Sequence, residues 1–255
     1  MSPVKGAAIL LVTAPLVFAG GSVAAQTGVI QQNNVNISGG GASVTVSGQT
    51  VTVETTTGFA GHVVGDGEPA SQTRPLPAVR SVDADGAFAL TIRVGPQPSL
   101  VVATDRNLLP IVKTEVADGR LRLYTDRSYS VDGRIHITLT SPQIDAISAS
   151  GSNEIDAQGL AGGNLTLSLN GSNNAMLAGN VASLSVEMSG SNRLAARSLA
   201  AGSAEVTLSG SGNAAVTAEQ RLVATISGAG SLAVWGNPQE RRTEVNGAGK
   251  VTFEQ

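Results

Sequence analysis

The groups in this chain that could do chemistry are few and do not converge. There are two histidines, His62 and His136, and no cysteine. His62 lies in a glycine-rich stretch and His136 alternates with Ile135 and Ile137, so spacing pairs neither with a nucleophile. The carboxylates Asp156, Glu187 and Glu205 recur through the second half at differing offsets. A polysaccharide-cleaving fold would gather its acids on one face, and no such column forms here. A Ca²⁺-binding nonapeptide repeat needs Asp after Gly-x-Gly, whereas Asn, Glu, Arg, Ser or Lys follows. The sequons Asn36-Ile-Ser38 and Asn164-Leu-Thr166 are what a Ser/Thr-rich chain produces by chance. The sequence therefore predicts no catalytic residue, no cofactor and no metal site.

What the sequence does carry is a repeat. A Ser/Asn-Gly-Ser/Ala step falls at Gly151, Gly171, Gly190, Gly210, Gly228 and Gly247, at intervals of 20, 19, 20, 18 and 19 residues. A period near 20 without a helical pattern marks a solenoid in which each repeat is one coil. Two residues before the glycines stand Ala149, Leu169, Met188, Leu208, Ile226 and Val245. Four before stand Ile147, Leu167, Val186, Val206, Ala224 and Thr243. Four after stand Ile155, Ala175, Leu194, Ala214, Leu232 and Val251, and six after stand Ala157, Leu177, Ala196, Val216, Val234 and Phe253. A spacing of two within each arm is the strand period, so each coil reads as strand, tight turn, strand. Stacking then gathers these positions into four inward columns.

The turn residues follow their own rule. Ser or Ala comes directly after each glycine, and the next place holds Asn153, Asn173, Asn192, Gly212, Gly230 and Gly249. Asparagine and glycine accept positive φ at least cost, so this place is expected to be left-handed in every coil. It forms a corner of small residues rather than a ladder displayed to a ligand.

Composition agrees with a thin aliphatic core: aromatics are 3% and glycine is 31 of 255 residues. The net charge of −3 and the lack of a basic run argue against nucleic acid as a partner. At the N-terminus, Lys5 precedes an apolar run from Ala7 to Ala19, and Val23-Ala24-Ala25 supplies small residues. Residues 1–25 thus read as a signal peptide cut before Gln26, and Gly20, Gly21 and Ser22 end the run too early for a membrane anchor. No room is expected for a translocating barrel, so the mature product is expected to be periplasmic or secreted.

Residues 26–75 read as a low-complexity segment and linker. Gln31 to Asn34 is polar, Val44 to Val46 and Val51 to Val53 suggest a hairpin or an extra coil, and Gly65 to Pro77 reads as the linker proper. Residues 76–255 form the solenoid domain. From Ala78 to Thr140 strand signals continue without the glycine repeat: Phe88, Leu90, Ile92 and Val94 alternate, and Asn107 to Pro110 suits a helical turn. Asp118-Gly119 suits a reversal between two strands, and Ile135, Ile137 and Leu139 mark another strand.

The run VRSVDADGAFALTIRVGPQPSLVVATDRNLLPIVKTEVADGRLRLYT, then IHITLTSPQIDAISASGSNEIDA, then the SGSN and SGSG coils form a distinctive order. Together with the ending GAGSLAVWGNPQERRTEVNGAGKVTF, it resembles the secreted bacterial family called the putative auto-transporter adhesin, head GIN domain, over roughly residues 76 to 253. The resemblance implies an all-β, single-domain, right-handed parallel β-helix-like solenoid with coils of about 18–20 residues, and brings no catalytic residue.

Two function classes follow. One is a binding or adhesion module of the cell envelope with a polysaccharide or envelope protein as partner. The other is a structural or regulatory envelope component. If the domain binds, the expected face is the outward side of the strands, where Thr166, Ser168, Ser185, Glu187, Glu205 and Thr207 stand in rows. Trp235, one residue past the inward Val234, is an outward aromatic suited to binding or to capping the C-terminal end.

Overall fold

The computed structural model describes residues 62–254 in full and, before them, strands Leu10–Val12, Gly28–Ile30, Ala42–Val46 and Gln49–Val53. The chain divides into two units, Met1–Gly58 and Phe59–Gln255. In the first, Leu10–Val12 pairs antiparallel with Gly28–Ile30, and Ala42–Val46 with Gln49–Val53. The cleavage site after Ala25, the Gln31–Asn34 tract and the Asn36 sequon lie outside the described residues.

The second unit is a parallel β-solenoid of about five turns. Its repeat glycines stack in register: Gly151 on Gly171, then Gly190, Gly210, Gly228 and Gly247. The four inward columns are buried from Ile147 through Val234. A third side, not read from the sequence, closes each coil. Strands such as Glu154–Gly171 run on past a register shift between Ala157 and Leu160. Leu160, Val181, Leu199 and Ala218 bury that side. At the last coil the columns open, with Val245 40% and Phe253 39% exposed because no further coil covers them. The Arg241 guanidinium lies 4.3 Å over the Phe253 ring and covers part of that end.

The region before Gly151 does contain the repeat. Gly86 aligns with Gly151, and Val82, Ala84, Leu90 and Ile92 occupy the four inward offsets. The chain lays this coil down first, as Ser81–Gly86 and Phe88–Val94, and then leaves the stack. Ser99–Asp105, the 3-10 turn Arg106–Ile111 and Val112–Ala117 follow. The chain reverses through Asp118 (φ 52) and Gly119 (φ 73), both left-handed as an Asp-Gly hairpin turn requires. Arg120–Thr125 and Ile135–Ser141 then stack parallel on the outer side of the Gly86 coil, and Ala146–Gly151 on its inner side.

The crossing between those two sides is pinned by polar contacts. The buried Ser141 hydroxyl donates to the Val79 carbonyl (2.6 Å) and accepts from its N–H (3.1 Å). The Asp145 N–H donates to the Arg80 carbonyl, and the two side chains form an ion pair. Antiparallel strands Ser99–Asp105 and Val112–Ala117 finish the N-terminal end, and Leu108 and Ile111 of the 3-10 turn are buried. The stretch 65–77, expected as a linker, instead holds strand Pro69–Arg74, paired antiparallel with Ser99–Asp105. Arg74 from this strand donates to the Leu109 and Val112 carbonyls and ties the cap down, and its burial lowers the guanidinium pKa.

Candidate functional site

The corner differs from its expected form, and the difference decides what is displayed. Positive φ falls on the repeat glycines themselves, from 97 at Gly190 to 131 at Gly247, and not on the place two residues later. The carbonyls of Gly151, Gly171, Gly190 and Gly210 each accept from the N–H just after the next coil's repeat glycine, as Gly151 does from Ser172 at 2.8 Å. A Cβ at Gly171 would lie 2.5 Å from the Gly151 oxygen, so the column admits only glycine.

Asn153, Asn173 and Asn192 point inward and are at most 2% exposed. They form a hydrogen-bonded ladder through the core. The N–H and side-chain amide of Asn153 both donate to Asn173 Oδ1 (2.9 Å each), and those of Asn173 donate to Asn192 Oδ1 (2.8 and 2.9 Å). Each side-chain amide also donates to a carbonyl three residues back, at Ser150, Asn170 and Ser189. Asn153 Oδ1 accepts from the Phe88 N–H, which starts the ladder in the Gly86 coil. Every amide is satisfied internally, so this ladder holds register and offers nothing to a ligand.

The outward strand face is where candidate binding residues do assemble. Ser168, Glu187 and Thr207 are direct neighbours on adjacent coils, as are Thr166, Ser185 and Glu205. In-register parallel strands place such rows at about 4.8 Å intervals. Glu187 and Glu205 are exposed, and Ser168, Ser185 and Thr207 are half-buried along the strand surface. A shallow depression of about 250 Å³ runs between Ser168, Asn170, Glu187, Ser189, Thr207 and Ser209. Trp235 does not join this face. It lies on the strand beyond the glycine corner, beside Thr217, with the Arg197 guanidinium 5.0 Å over its ring.

The other groups considered for chemistry stay apart. His62 Nε2 is 2.9 Å from Ser130 Oγ, and His136 is exposed on its strand. Asp156 accepts from Gln158 (2.6 Å) and Arg93 (3.0 Å), and these donors hold its carboxyl below the usual carboxylate range. Among the described residues no three His, Cys, Asp or Glu side chains cluster as a metal site would require.

One further concavity was not foreseen. It is an open cleft of about 890 Å³ between the 125–134 loop and the glycine corner formed by Gly86, Ala87 and Ser152. Sequence could have pointed to it, because residues 126–134 are an insertion between two strands that elsewhere meet at a tight corner.

Parallel coils with an inward amide ladder and polar outer rows define an all-β solenoid. The chain belongs to the family described as putative auto-transporter adhesin, head GIN domain, whose profile matches residues 80–238. Among solved structures, a putative adhesin from Bacteroides fragilis is 18% identical, with a TM-score of 0.61 over 75% of this chain and 99% of its own. A putative adhesin from Parabacteroides merdae (18% identity, TM-score 0.46, 77% and 100% covered) is also similar. So is a putative lipid binding protein from Parabacteroides distasonis (19%, 0.47, 76% and 100%). No curated protein matches the chain.

Proposed function

We propose that this chain is an exported, non-enzymatic binding module of the bacterial envelope, acting in the periplasm or outside the cell. Its contact surface is the row of Ser168, Ser185, Glu187, Glu205 and Thr207. The observation that carries this reading is their register: hydroxyls and two carboxylates repeat on adjacent coils across a flat strand face. A repeating, shallow, polar surface suits a polymer held at many weak points better than a small molecule held in one pocket. The partner classes that fit are a polysaccharide rich in hydroxyls and an envelope protein presenting cationic side chains to the two glutamates. Membership of an adhesin-named family and the signal-like segment at residues 1–25 support export and binding.

The test replaces Glu187 and Glu205 with Lys and measures co-sedimentation with isolated envelope and with purified cell-wall polysaccharide. Both side chains are exposed, so the melting temperature should hold while retention falls at least about tenfold. Unchanged retention with unchanged folding removes this face as the contact surface.

A further inference from the structure

The 890 Å³ cleft is built by one departure from the repeat. In the coils from Gly151 onward, a glycine and two small residues join the two arms. In the outer layer, Arg120–Thr125 and Ile135–Ser141 are joined instead by residues 126–134. Ser128–Ser130 of this loop pairs parallel with His62–Val64, and the Ser130 hydroxyl meets His62, so the loop is braced as an overhang. Beneath it, Gly86 and Ala87 leave the backbone bare and form the floor.

The lining has a distinct chemistry. The Tyr129 ring is half-buried, its hydroxyl is 3.5 Å from the Ala87 carbonyl, and burial pushes its pKa up, so the phenol stays a neutral donor. Arg134 is fixed by a hydrogen bond to the Ser152 carbonyl and lies 3.7 Å from Glu154. Asp126 is neutralised by Lys113 at 3.0 Å. Arg127 is exposed and, among the described residues, has no carboxylate within ion-pair distance. One uncommitted guanidinium, one ring and a rim of hydroxyls match a monoanionic sugar: the guanidinium takes a carboxylate in a two-point grip, and ring and hydroxyls take the sugar body. A polyphosphate would need several uncommitted cations, and Arg127 alone among the lining residues is uncommitted.

We propose that this cleft is a second binding site, separate from the flat strand face, that takes a carboxylate-bearing saccharide with Arg127 as its anion anchor. The probe is methyl galacturonoside, which carries one carboxylate, titrated calorimetrically against the full chain beside its carboxyl-reduced counterpart, methyl galactoside. Saturable binding of the acidic glycoside, at least about tenfold tighter than the reduced one, is expected. Arg127→Gln should weaken it by about tenfold or more at unchanged melting temperature, and the Glu187/Glu205 double Lys variant should bind as the unaltered protein does. Equal affinity for the reduced sugar, undiminished binding by Arg127→Gln, or no binding up to about 10 mM overturns the proposal. Displacement by an equal concentration of sulfate would also overturn it, because the site would then recognise only an anion.

Discussion

The stack changes its internal corner halfway along, and the two halves hold register by different means. From Asn153 to Asn192, the place two residues past the repeat glycine is filled by a buried amide, and each amide bonds to the next along the stack. From Gly212 on, the same place is glycine, and an apolar side chain of the preceding coil reaches the space: Met188 at Gly212 and Leu208 at Gly230. The amide half is directional, since Asn173 Oδ1 and Asn192 Oδ1 each take two bonds that a shifted coil would lose. The glycine half relies on close approach, with the Gly212 oxygen 2.8 Å from where a Gly230 Cβ would sit. One corner geometry thus tolerates two fillings because its bend is supplied by a different residue, the repeat glycine.

If the repeat glycine is common to both halves, replacing it should be the most damaging change in either. At Gly171 (φ 105) and Gly228 (φ 125) alike, the preceding coil's carbonyl oxygen lies 2.5 Å from where a Cβ would sit. Gly171→Ala and Gly228→Ala should each lose on the order of 3 kcal/mol or more, from left-handed strain plus overlap with backbone that cannot yield. Urea unfolding midpoints measure this. A large loss at one position with tolerance at the other would show that the halves differ in the bend as well as in its filling.

The next effect should belong to the amide half alone. Asn173→Leu removes the acceptor of two Asn153 donors and strips Asn192 Oδ1 of its side-chain bond from Asn173. Leaving these groups buried and unpaired should cost about 2–4 kcal/mol. Ser185→Val on the outward strand face should stay within about 0.5 kcal/mol. Comparable unfolding midpoints for the two variants would mean the ladder adds no stability.

The boundary itself can be moved. Gly212→Asn would extend the ladder by one coil, but its Cβ would meet the Asn192 oxygen at 2.9 Å and Met188 Cε at 3.1 Å. Alone it should destabilise by about 1–2 kcal/mol. Combined with Met188→Ala, which clears the end of the obstructing side chain, the loss should be less than the sum of the two single losses. A double-mutant cycle with no coupling would deny that Met188 substitutes for the amide.

The sequence disclosed much of this architecture and misplaced its mechanism. The strand period marked Ile147 through Val234 as buried because each alternation sits beside a glycine that sets its phase. Gly86 carried the same four apolar neighbours but stood more than three repeat lengths upstream of Gly151, and the cap inserted between them hid its phase. Asn and Gly share tolerance of positive φ, so composition alone could not tell a left-handed Asn from a buried one whose amide bonds to its neighbours. The rows containing Glu187 and Glu205 were legible because outward positions follow from inward ones. The cleft under residues 125–134 was legible only in part: the 126–134 insertion shows in the sequence, but the Gly86 corner that faces it is brought there only by the crossing back past that coil.

The smallest expected difference is in acid. Asp156 sits on the coil of Asn153, and Gln158 first, then Arg93 on the adjacent Gly86 coil, hold its carboxyl below its ordinary value. The folded chain therefore takes up this proton less readily than the unfolded chain does. The stabilisation is complete above the unfolded carboxylate pKa of about 3.9 and is lost as pH falls through the lowered folded value. Because both side chains of the Asp156–Arg93 pair are partly exposed, the effect is modest and should shrink further in high salt. Asp156→Asn should melt slightly below the unaltered protein at pH 7, and the gap should narrow as pH drops below about 4. A gap that stayed constant across that range would mean the variant acts through lost packing and not through charge. The first amide-bearing coil would then owe nothing to the ion pair that joins it to the Gly86 coil.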